Sequence, residues 1–114
     1  MNQTTILFLK SYLPRDKFQE ALTWVKAQPK RLFLGDSKIW VLDTETTPTD
    51  PAWRDVLEGV NQSGWKIVGE SLWDVERPLA ENKVALEALA GLAVEREEQS
   101  NARRHAHRSG GRTW

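Results

Sequence analysis

Two stretches of this chain, Ile6-Leu7-Phe8-Leu9 and Ile39-Trp40-Val41-Leu42, are apolar at every position. Both are short and rich in β-branched and aromatic residues, the pattern of strands rather than helices. A strand with one wet face alternates apolar with polar residues, so a strand that does not alternate is covered on both faces. The chain therefore needs a sheet whose two central strands have cover on either side. In 114 residues without a cysteine, that cover comes from the chain's own helices or from another molecule, with no disulfide to help.

The remaining segments supply the other elements. Thr4 to Lys10 forms the first strand, and after Pro14 the residues Phe18, Ala21, Leu22 and Val25 recur at helical spacing until Pro29 stops them. Arg31 to Leu34, the turn formers Gly35-Asp36-Ser37, and Lys38 to Asp43 read as a hairpin. Asp50-Pro51 offers an N-cap and a first-turn proline to a helix carrying Trp53, Val56, Leu57 and Val60, which ends near Ser63-Gly64. Trp65 to Trp73 is a further strand, in which Gly69 marks either a bulge or a close approach. From about Leu79 to about Ala102 the chain reads as one long helix with Leu86, Leu89, Ala90 and Ala93 as its apolar stripe.

The order β-α-β-β-α-β followed by a helix matches the split βαβ, ferredoxin-like plan of an α+β sandwich, with strands one and three in the middle of the sheet. The expected organisation is a βαββαβ core over residues 1–78, a C-terminal helix over 79–102 and a flexible basic tail over 103–114. Two helices cover only one side of such a sheet. The third helix is the nearest cover for the other side; a second copy or a foreign partner is the alternative.

Net charge is zero, yet the charges are segregated. Residues 1–35 hold six bases against two acids, residues 36–98 six against fourteen, and residues 99–114 four arginines with no acid. A neutral whole argues against a protein that coats duplex nucleic acid, whereas the basic tail keeps that capacity locally. The longest apolar run near the start is Ile6–Leu9, far too short for a signal-peptide core or a membrane span, so a cytoplasmic protein with no membrane partner is expected.

Three constellations bear on chemistry. The string Asp43-Thr44-Glu45-Thr46-Thr47 at the end of a strand resembles the first motif of the DEDD family of 3′–5′ exonucleases, which implies that Asp43 and Glu45 ligate catalytic metal ions. The resemblance covers about seven residues of the chain. The further acids of that family have no counterpart here, since no acid follows Glu98 and both histidines lie in the tail. The competing reading is a strand that ends in a Thr-rich turn.

Next come the aromatic residues, which can stack bases when several share an open sheet face. Leu7-Phe8-Leu9-Lys10 is similar to the first-strand motif of RNA-binding domains of this fold, but the third strand lacks the glycine and paired aromatics of their other motif. Trp40 is thus read either as a partner-binding residue or as one buried under the third helix, with burial favoured. The third constellation is the tail, where Arg103, Arg104, Arg108 and Arg112 can bind phosphates and Trp114 can stack on a base or anchor in a partner. His105 and His107 have no third metal ligand near them in sequence, and the glycines form no phosphate loop.

The expected function is a non-enzymatic binding module without a cofactor, engaging nucleic acid or a nucleoprotein assembly through the arginine tail and nearby aromatics. A protein-binding regulator or inhibitor, acting through the acidic middle block or a sheet edge and including self-association as a homodimer, is the second expectation. A metal-dependent nuclease at Asp43 and Glu45 is the third.

Overall fold

The computed structural model describes the backbone of residues 2–112 and the side chains of residues 2–97. Among these, the elements follow in the order β1 (Gln3–Ser11), α1 (Arg15–Lys26), β2 (Arg31–Leu34), β3 (Ile39–Asp43), α2 (Trp53–Gln62) and β4 (Trp65–Asp74). A single 3-10 turn at Ala80–Asn82 then leads into α3 (Lys83–Arg112). The strands form one sheet in the order β2-β3-β1-β4, antiparallel throughout. The two strands without polar alternation, β1 and β3, are the inner pair.

Local chemistry sets most of the boundaries. The carbonyl of Pro14 accepts the N–H groups of Lys17 and Phe18, so α1 starts directly behind a residue that has no N–H to lose. It ends at Lys26, three residues before Pro29. The turn between β2 and β3 takes Lys38 into the left-handed region at φ 55. One boundary differs from expectation. Asp50 and Pro51 do not open α2: the Asp50 Oδ1 accepts the N–H of Ala52 at 2.9 Å and its carbonyl accepts that of Trp53 at 3.0 Å. The pair builds a turn ahead of the helix, which begins at Trp53.

Strand alternation sorts the core into two layers. Leu7 and Leu9 of β1 pack with Leu42, Trp65, Ala21, Val25 and Val60 under α1 and α2. Ile6 and Phe8 point the other way, to Ile39, Val41, Leu34 and Trp73, and there Leu86 and Ala90 of α3 close over them. The second side of the sheet is therefore sheltered by the C-terminal helix, as the two unalternating strands require. Each fully buried Leu, Ile or Phe in these layers contributes about 1.5–3 kcal/mol, and β1 and β3 supply six of them.

Where α3 crosses β4, Gly69 serves both purposes expected of it. The pairing of β1 with β4 slips between Phe8 and Leu9, which face Gly69 and Ile67 and leave Val68 as the extra residue of a bulge. A Cβ on Gly69 would stand only 2.8 Å from the Ala93 Cβ, so glycine also permits the close approach of the helix. The turn between β2 and β3 ties to the same helix, since Glu87 accepts the Ser37 hydroxyl at 2.9 Å and the Asp36 N–H at 3.4 Å.

Two further expectations change. Trp40 does not lie under α3. Its register partner on β1 is Leu9, which belongs to the α1/α2 side, and Trp40 packs with that layer. The backbone of α3 also continues past Ala102 to Arg112, consistent with the absence of proline and glycine from residues 99–109.

Candidate functional site

The Asp43–Thr47 string is the first candidate, and its Asp43 Oδ1 and Thr44 hydroxyl are taken up by hydrogen bonds within the turn and to β1. Asp43 is only 6% exposed. Its Oδ1 accepts the Thr4 hydroxyl and the N–H of Glu45, both at 2.9 Å. The Thr44 hydroxyl donates to the Thr5 carbonyl at 2.8 Å, and the Thr5 N–H donates to the Thr46 carbonyl at 2.8 Å. This is a strand end folded into a turn around β1, with Glu45 held in the left-handed region at φ 58 by the Asp43 carboxylate. The Glu45 side chain points outward and pairs with Lys30 at 3.4 Å. Among the described residues no group of three His, Asp or Glu side chains comes together to hold a metal ion.

Asp43 also forms part of the wall of two open cavities at this end of the sheet. One, of about 320 Å³, is lined by Lys30, Arg31, Glu76 and Arg77. The other, of about 290 Å³, is lined by Trp24, Leu42, Asp55 and Val56. Charges of both signs face the first. Its arginines are held by neutral acceptors, Arg31 by the Gln28 carbonyl and Arg77 by Asn82 Oδ1, and the Arg77 guanidinium stacks 4.2 Å from the Trp73 ring.

Among the described residues the aromatic side chains do not form an open platform across the sheet. Phe8 and Trp73 are buried beneath α3, while Trp65 is buried beneath α1, its ring edge-on to Phe18 at 5.9 Å and its indole N–H donating to the Ala21 carbonyl at 2.9 Å. Base stacking across the middle of the sheet, the mode of RNA-binding domains with a bare sheet, has no exposed surface to use. Trp40 meets Phe33 of the edge strand at 5.1 Å, and this pair is half open to solvent, with Phe33 44% exposed.

The tail candidates fall largely outside the described side chains. Arg103, Arg104, Arg108 and Arg112 lie on the helical backbone of α3, but their side chains, like Trp114 altogether, are outside the described residues.

A cluster that the sequence did not single out lies at the other end of the sheet. Lys10 and Lys66 are direct partners across β1 and β4. Their ammonium groups stand 5.4 and 5.5 Å from the ring centroid of Tyr12, which is 59% exposed. Like charges facing each other across a ladder repel. Lys66 is compensated by Glu97 of α3, whereas Lys10, partly buried, has no carboxylate partner among the described residues. No sequence signal reveals this cluster, because it depends on the register of two strands more than fifty residues apart. No protein-family model, curated protein or solved structure matches this chain.

Proposed function

We propose that the protein is a small non-enzymatic binding module of ferredoxin-like plan that engages single-stranded nucleic acid, alone or within a nucleoprotein assembly, through the arginine-rich end of α3. The observation that carries this reading is the continuity of α3, whose backbone stays helical from Leu86 and Ala90 on the sheet to Arg112. The same helical backbone carries, beyond an acidic middle block, four arginines in a stretch that contains no acid. Arg104, Arg108 and Arg112 follow one another at intervals of four, which on a helix is one face. The ferredoxin-like plan is supported by the element order and by the central position of β1 and β3. The non-enzymatic part is supported by the structural use of the Asp43 carboxylate.

Fluorescence anisotropy with short labelled oligouridylate and oligothymidylate tests the reading, using the full chain and a variant with Arg103, Arg104, Arg108 and Arg112 all replaced by Gln. Four phosphate contacts on a single strand give a log–log salt slope of about −3. Binding with such a slope by the native chain, lost in the variant, is the expected result. Equal or absent binding in both removes the reading.

A protein-binding regulator is the second reading, favoured by the half-open Phe33–Trp40 pair beside the unpaired edge of β2. It requires a stable complex in a pull-down that Phe33→Ser abolishes, or self-association visible by light scattering, together with no oligonucleotide affinity at physiological salt.

A further inference from the structure

Resting on the nucleic-acid reading, we infer that the corner formed by Lys10, Tyr12 and Lys66 is where the bound strand meets the folded domain, Tyr12 stacking on a base and Lys10 taking a neighbouring phosphate. Three observations converge there. Tyr12 is a largely exposed aromatic ring at the end of an otherwise buried strand. The ring is flanked by two ammonium groups, of which Lys10 lacks an acidic partner among the described residues although it is partly buried and opposed by another lysine. An anion placed at this corner gives Lys10 the opposite charge that Glu97 gives Lys66.

The third observation is the course of α3. Leu86 and Ala90 pack on the sheet, Ala93 passes over Gly69 and Glu97 reaches Lys66, so the helix travels along β4 toward the Tyr12 end. Arg104 and Arg108 come seven and eleven residues after Glu97, close to two and three whole helical turns, which puts them in register with the side of the helix that meets Lys66. At 1.5 Å per residue Arg104 lies only about 10 Å further along the axis than Glu97. The backbone of the arginine-bearing segment thus continues from the Lys10–Tyr12–Lys66 corner, where two ammonium groups flank one exposed aromatic ring. That combination suits an unpaired strand, which offers bases to stack as well as phosphates, whereas a duplex, its bases already stacked, can use only the phosphate contacts.

The experiment uses the full chain throughout, measured by anisotropy against single-stranded RNA, single-stranded DNA, the corresponding duplexes and polyglutamate. Tyr12→Ala is expected to weaken single-strand binding on the order of tenfold, with Tyr12→Phe retaining native affinity. Lys10→Gln is expected to make the salt slope shallower by about 0.7. Photocrosslinking of a 5-iodouracil-containing strand should then label Tyr12. If the native chain binds and the four-arginine variant does not, but Tyr12→Ala and Lys10→Gln behave as native, this inference falls while the proposed function stands. If the native chain binds no nucleic acid, both fall. Polyglutamate bound as tightly as the single strand overturns the inference too, because the corner would then respond to charge alone.

Discussion

Gly69 of β4 and Ala93 of α3 meet so closely that a methyl group on the glycine would sit 2.8 Å from the alanine Cβ. This contact sets the distance at which α3 lies over the sheet, and with it the shelter of Phe8 and the path of the helix toward Lys66. Gly69→Ala should destabilise the fold by about 1–3 kcal/mol, the usual cost of overpacking. Ala93→Gly alone should cost about 1 kcal/mol of helix propensity. In the double variant the two losses should add to less than their sum, since removing the Ala93 methyl makes room for the new one. Urea denaturation of the four proteins measures this, and strict additivity would show that the helix does not rest on Gly69.

Asp43 is a structural carboxylate. Asp43→Asn keeps the shape of the side chain but weakens its acceptance of both the Thr4 hydroxyl and the Glu45 N–H, and should cost about 1–3 kcal/mol. Oligonucleotide binding should be unchanged. Incubation of labelled strand with Mg²⁺ or Mn²⁺ should leave it intact with either protein; cleavage by the native chain that Asp43→Asn abolishes would restore the nuclease reading.

Thr5 presents the opposite case. Its hydroxyl is buried on the α1/α2 side and is without a hydrogen-bond partner among the described residues. Thr5→Val replaces that hydroxyl with a methyl group of similar size and suits a strand, so it should stabilise the protein by about 1 kcal/mol. A rise of a few degrees in Tm is the expected observation, and a fall would mean that the hydroxyl has an essential partner.

Much of the architecture is legible in the sequence because burial on both faces leaves a plain mark. Ile6–Leu9 and Ile39–Leu42 identify the inner strands and demand two covers, and the stripe Leu86, Ala90, Ala93 identifies the second one. The same lack of alternation hides which residue of the Ile39–Leu42 run faces which layer. Every position is apolar, so only pairing with Leu9 decides that Trp40 lies on the α1/α2 side. The start of α2 was hidden for a different reason, since Asp and Pro serve a turn as well as a helix N-terminus. The Lys10–Tyr12–Lys66 corner is invisible for want of any local pattern, being made by the long-range register of β1 against β4.

Glu87 anchors α3 at its other end, accepting the Ser37 hydroxyl and the Asp36 N–H of the hairpin turn. Glu87→Ala should cost about 1 kcal/mol, and Ser37→Ala should cost less in that background than it does alone. A double-mutant cycle by chemical denaturation checks the coupling, and additive losses would deny it.

Amide hydrogen exchange of the full chain, with and without saturating single-stranded oligonucleotide, is the most direct test of a closed sheet that binds at its corner. Exchange should slow around Ser11, Tyr12 and Lys66 and along residues 98–112, while the amides of β3 and of Leu86 to Ala93 keep their rates. Faster exchange across Leu86 to Ala93 with new protection on β1 and β3 would mean that α3 lifts to bare the sheet, and no change anywhere would mean that the strand does not bind; either result contradicts the closed, corner-binding module.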